Sequence, residues 1–208
     1  AAKYRNNGQV CISPSRFYIH ESKKEKFTKS FVEKTLRLKI GNGMDDDVQL
    51  GPITTKKRLD EIERLVETTK KEGANILCGG KRPSGFNKGY FYEPTVFDNV
   101  KDNFKIMTEE PFGPLTPILT FKSFEEVIKK ANDQAAGLAG YVCTSSIELA
   151  NKTSEALETG MVAVNTPFIS NAETPFGGIK QSGYGREGGS MGIKDYLNIK
   201  YTHLGLIG

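Results

Sequence analysis

Histidine and cysteine are scarce in this chain, long apolar runs are missing, and each shortage excludes something. No stretch approaches the ~20 apolar residues of a membrane-spanning helix, so a transmembrane helix is excluded. No signal-peptide pattern opens the chain. Cys11, Cys78 and Cys143 are odd in number and far apart, which fits neither a disulfide framework nor the paired spacing of a zinc site. A reducing, cytoplasmic setting is the expectation. The 29 basic and 25 acidic residues are well mixed, with no basic block, so neither nucleic acid nor a membrane is expected as partner. Asp45-Asp46-Asp47 lacks the acidic spacing and closing glutamate of a calcium loop and reads as a solvated turn. Internal repeats and low-complexity segments are also missing.

What remains is a globular composition. With 208 residues, 37% hydrophobic and 26% charged, the chain fits one large domain or two small ones around a real core. It opens on alanine rather than methionine, and the expectation is a piece of a longer protein.

Strand and helix patterns alternate. Ser15 to His20 reads as a strand after Pro14. Ser22 and Glu25 have capping-box spacing, predicting a helix to about Lys39 that Gly41-Asn42-Gly43 stops. Leu59, Ile62, Leu65, Val66 and Thr69 predict a helix from about Thr54 to Glu72, ended by Gly73. Asn75 to Cys78 is a short strand, and Phe91 to Phe97 is extended but broken by Pro94. Leu115 to Phe121 is a strand, followed by a helix that Ser123 and Glu126 cap. Strand, helix, strand follow over Leu138–Thr144, Ser146–Thr159 and Met161–Asn165. Thr166 to Gly183 is a long loop, marked as functional by its length. A short helical stretch near Asp195 and a final strand, Asn198 to His203, close the chain. Alternation of this kind predicts an α/β fold with a largely parallel sheet. The last strand stands outside the alternation and is expected to pair beyond this domain.

Cys11 is the candidate nucleophile. Most cysteines are small buried hydrophobes, whereas this one follows Asn6-Asn7-Gly8-Gln9, where backbone amides can be aimed at a ligand. Arg5 and Arg16 flank it, and thiolate is favoured near amides or positive charge. A cysteine hydrolase or acyl-transferase takes a histidine partner; the choice is His20 or His203, and neither has surroundings that suggest an orienting role. Gly183-Tyr184-Gly185-Arg186-Glu187-Gly188 matches a dinucleotide fingerprint literally, but a long loop precedes it and no βαβ unit can follow, so its glycines are read as turn formers. Glu109-Glu110-Pro111-Phe112-Gly113-Pro114 and Pro175-Phe176-Gly177-Gly178 are two rigid loops that each present an aromatic ring.

Taken in order, Gly8-Gln9-Val10-Cys11, Gly51-Pro52, Glu109 to Pro114, Gly137-Leu138, and Pro175 to Gly178 with Lys180 and Ser182-Gly183 resemble the aldehyde dehydrogenase superfamily over the whole chain. Lys3-Tyr4-Arg5-Asn6, Ile169-Ser170-Asn171, Gly185 to Gly188, Asp195-Tyr196-Leu197 and Lys200-Tyr201 are most similar to the succinate-semialdehyde dehydrogenases. The resemblance implies a Rossmann-like catalytic domain over residues 1–196 and an oligomerisation strand over 197–208. It implies oxidation of a small-molecule aldehyde with NAD or NADP, in a homodimer or homotetramer. Cys11 would form the thiohemiacetal and its amide would hold the oxyanion. Glu110 would bind the nicotinamide ribose, with Phe112 packing on the cofactor. Arg5 and Ser170 would hold the substrate's distal carboxylate, and Phe176 would line the aldehyde channel. The family's general-base glutamate, oxyanion asparagine and most of its cofactor-binding domain precede the cysteine. Ser13 replaces the second cysteine of several members, which excludes a Cys-x-Cys switch. Pro167-Phe168 is bulkier than the usual pair in that loop.

Overall fold

A computed structural model describes residues 2–208. The main sheet is built from β1 (Phe17–His20), β2 (Asn75–Cys78), β3 (Thr95–Asp98) and β4 (Leu115–Phe121) in the order β1-β4-β3-β2. β4 runs parallel to both β1 and β3, while β2 lies antiparallel on the edge. The position of β4 follows from its sequence. Leu115 to Leu119 are all buried, as a near-continuous apolar strand covered on both faces must be.

One helix covers most of this sheet. In α2 (Lys56–Lys71) the buried residues are Leu59, Ile62, Leu65, Val66 and Thr69, the stripe predicted from spacing. Leu59, Ile62, Leu65 and Val66 form one core with Phe97, Leu115, Leu119, Ile106 and Met107. Each large apolar side chain fully buried there contributes about 1.5–3 kcal/mol. The Thr55 hydroxyl accepts from the Arg58 amide at 3.1 Å and fixes the start of α2. Lys105–Thr108 adds the single helical turn α3, which packs against α2.

The remaining helices start close to their predicted positions. Ser123 caps α4 (Phe124–Asn132) and Ser146 caps α5 (Ile147–Ala156), each through its side-chain oxygen. α1 (Lys24–Leu36) differs from expectation. Ser22 does not cap it: the Ser22 amide donates to His20 Nδ1, and Glu21–Lys23 forms a 3-10 turn ahead of the helix. His20, at the strand end, captures the amide first, and the capping-box register slips.

Beyond the main sheet lie β5 (Ala136–Gly137), β6 (Ala139–Val142), β7 (Met161–Val164) and β8 (Ile179–Lys180). β6 and β7 are parallel, and β5 pairs antiparallel with β8. The predicted 166–183 loop therefore contains a short strand, and Phe176 makes a further bridge with Glu187. Gly183 to Gly188 enters no βαβ unit; among the described residues only the 3-10 turn Gly192–Tyr196 follows it. Asn198 to His203 forms no strand within this chain, and Ile199 and Leu206 are fully exposed. A strand exists only with a ladder partner, and among the described residues the tail has none. Among the described residues no helix is long and apolar enough to cross a membrane.

Candidate functional site

Cys11 sits exposed on a turn held largely by side chains that bond backbone groups. Asn6, Asn7 and Gly8 are consecutively left-handed, at φ 49, 55 and 71°. Asparagine tolerates this conformation better than most side chains, and glycine is required at the third place. A Cβ on Gly8 would overlap the Gly113 carbonyl oxygen and come 3.1 Å from that of Lys3. This close approach brings the cysteine turn against the Glu110–Phe112 loop.

The amide side chains ahead of Cys11 are anchors. Asn7 Nδ2 donates to the Gly51 carbonyl at 2.7 Å. Gln9 Oε1 accepts from both the amide and the hydroxyl of Thr54, at 3.1 and 3.0 Å, while its Nε2 donates to Asn6 O. Asn7 Oδ1 is buried without a partner among the described residues. After Cys11, the Ser13 amide donates to Val10 O at 2.9 Å, and the Ser13 hydroxyl donates to Lys3 O. From the far side, Tyr141 donates its phenol proton to Ile12 O at 2.7 Å.

Beneath this turn lies Lys3, which the residue-by-residue reading did not single out. Its side chain is buried, with no hydrogen bond or ion pair among the described residues, and burial lowers its pKa from 10.5 to about 7. The folded value lies below the unfolded one, so the unfolded chain binds more protons between about pH 7 and 10.5. Stability therefore rises with pH through that window, and the cost of the buried charge is fully present below it. Lys3→Met is expected to raise the thermal midpoint clearly at pH 6 and to lose that advantage as pH approaches 10.5. A gain independent of pH would show that the ammonium is not the source.

The second loop is held as firmly. Glu109 is bound by Arg64 at 2.6 Å, whereas Glu110 is exposed with no ionic or hydrogen-bond partner among the described residues. Phe112 is half-buried at φ 34°, a strained value for a bulky residue, and the Arg58 guanidinium lies 5.6 Å from its ring centroid. Glu110 thus leaves its carboxylate exposed in the same loop as this ring.

The third loop carries Ser170 and Phe176. Phe176 and Glu187 exchange both backbone hydrogen bonds, at 2.7 and 2.8 Å. Arg186 fixes the following turn by donating to Gly178 O at 2.7 Å, and its own amide donates to Asp195 Oδ2 at 2.9 Å. Ser170 and Arg5 are both exposed, and no hydrogen bond among the described residues joins them. The histidines are engaged elsewhere: His20 caps the 3-10 turn and meets the Phe121 ring, and His203 lies beside Tyr201. Neither hydrogen-bonds Cys11, so no observation favours a cysteine–histidine hydrolase.

Residues 1–202 match the aldehyde dehydrogenase family. This chain belongs to that family. It is 44% identical over 206 residues to the mitochondrial succinate-semialdehyde dehydrogenase of Oryza sativa subsp. japonica, covering 99% of this chain and 38% of that protein. It is 42% identical to a chloroplastic betaine aldehyde dehydrogenase of Atriplex hortensis, covering 93% of this chain and 39% of the relative. Among solved structures, the succinate-semialdehyde dehydrogenase of Burkholderia pseudomallei superimposes with a TM-score of 0.93 at 42% identity, over 97% of this chain and 41% of that one. The chain thus spans about two fifths of the length of these aldehyde dehydrogenases, and relatives named for different aldehydes lie at nearly the same identity.

Proposed function

We propose that this chain is the catalytic-cysteine part of a longer NAD(P)-dependent aldehyde dehydrogenase, with succinate semialdehyde as substrate. The observation that carries the reading is the contact of Gly8 with Gly113. It supports a site in which the turn of the exposed Cys11 meets the loop that carries Glu110 and Phe112. In this mechanism Cys11 attacks the aldehyde carbon, and the carbonyl electrons move to oxygen. The oxyanion accepts from the Cys11 amide, a preorganised donor of the kind that contributes most to acyl chemistry. Glu110 would accept hydrogen bonds from the nicotinamide ribose and Phe112 would pack on the cofactor; NAD(P)+ held there would take the hydride that leaves the thiohemiacetal carbon, as the oxyanion electrons re-form the C=O of a Cys11 thioester. Water then releases the acid from the Cys11 thioester, with a general base from outside this chain. Phe176 lines the channel through which the aldehyde enters. Residues 197–208 serve as the strand that joins a neighbouring subunit.

Arg5 and Ser170 select the substrate. A guanidinium matches a carboxylate bidentately, and a hydroxyl adds a neutral donor. In the full-length enzyme, Arg5→Ala is expected to raise KM for succinate semialdehyde about 10- to 100-fold, the range of a lost charge-assisted bond. KM for propanal, which has no carboxylate, should change by less than about threefold. Equal effects on the two aldehydes would remove the carboxylate role and favour a different small aldehyde.

A further inference from the structure

We propose that Tyr141 is a positioning residue that acts through two peptide groups on the Cys11 amide. The connections are continuous. The Tyr141 hydroxyl donates to Ile12 O at 2.7 Å. That carbonyl shares its peptide with the Ser13 N–H, which donates to Val10 O at 2.9 Å. The Val10 carbonyl shares its peptide with the Cys11 N–H, the group given the oxyanion in the reading above, on which this inference rests. Each bond polarises the next peptide, so a donor at the far end strengthens the amide at the near end. It also fixes the two peptide planes on which the thiol is carried.

The source of this donor is a rigid one. β6 is paired with β7 along its length, with Tyr141 opposite Ala163, and the tyrosine reaches across 129 positions of sequence to the cysteine turn. Burial, and after it the nearby Cys11 charge, push the Tyr141 phenol above its ordinary pKa, so it remains a proton donor through the neutral range. β7 has no titratable side chain. From α5, packed on β6, come Glu148, Lys152 and Glu155, and Lys152 is turned away to Phe124 and Glu125.

Two reagents separate this role from simple packing; neither needs cofactor, and both are applied to the full-length enzyme. p-Nitrophenyl acetate acylates a thiolate through a tetrahedral oxyanion; iodoacetamide alkylates it with no oxyanion. Tyr141→Phe removes only the hydroxyl. It should slow acylation of Cys11 by about threefold to tenfold, the range a single neutral hydrogen bond spans. Alkylation should stay within about twofold of the wild type, with the same pH profile. Unchanged acylation, or an equal fall in both rates, would overturn the relay while leaving Cys11 as nucleophile. Peptide mapping that finds the acetyl group on Cys78 or Cys143 instead would overturn the nucleophile reading, and this inference with it.

Discussion

Cys11→Ser is expected to lower aldehyde oxidation by the full-length enzyme at least about 10⁴-fold, as removal of a catalytic nucleophile does elsewhere. The thiol is exposed, and its turn is held by Gln9, Ser13 and Tyr141 rather than by the sulfur. Serine should therefore fold in its place with an unchanged thermal midpoint. The loss would be chemical, because an alcohol at neutral pH lacks the ionised fraction and the polarisability of a thiolate. Cys143→Ser is the control: also exposed but without a role in the proposed mechanism, it should retain activity within about twofold. Comparable losses from both substitutions would contradict the assignment.

Gly8→Ala is expected to be strongly destabilising. Gly8 has φ +71°, and its Cβ would overlap the Gly113 carbonyl oxygen. Both obstacles are backbone features, so no side-chain rotation relieves them. Left-handed strain and overpacking together should cost about 2–4 kcal/mol. For a chain of this size that lowers the thermal midpoint by about 5–15 °C. Gly43→Ala is the matched control, because nothing lies within 4 Å of its Cβ; its midpoint should stay within about 2 °C. Where a folded Gly8→Ala protein is recovered, its Cys11 turn must have moved off the Phe112 loop, and aldehyde oxidation should fall with it. A stable variant with full activity would mean that this contact is dispensable.

Local signals were legible in the sequence and distant ones were not. The α2 stripe from Leu59 to Thr69 and the cap at Ser123 each depend on residues within a turn or two, and the structure has them in their predicted places. Ser22 failed as a cap although its spacing was right, because His20 competed for the same amide. The β5–β8 pairing was invisible for a different reason: it joins two-residue strands more than 40 positions apart, too short for any alternation to register. The final strand expected over Asn198 to His203 finds no ladder partner among the described residues.

At the site, Asn7 and Gln9 were read as a polar introduction to Cys11. They prove to be the ties that bind its turn to Gly51 and Thr54. Tyr141, whose contact is with a backbone carbonyl 129 positions away, leaves no local trace at all. The motifs therefore locate the chemistry, while the groups that orient it emerge only when the chain is folded.

Acid-quenched turnover tests the central claim most directly. The full-length enzyme would be mixed with succinate semialdehyde and NAD(P)+, stopped in acid within the first turnovers, and mapped by peptide mass spectrometry. A succinyl thioester is expected on the peptide that carries Cys11, absent when cofactor is withheld. Turnover with no acyl group on Cys11, or with the adduct on Cys78 or Cys143, would contradict it.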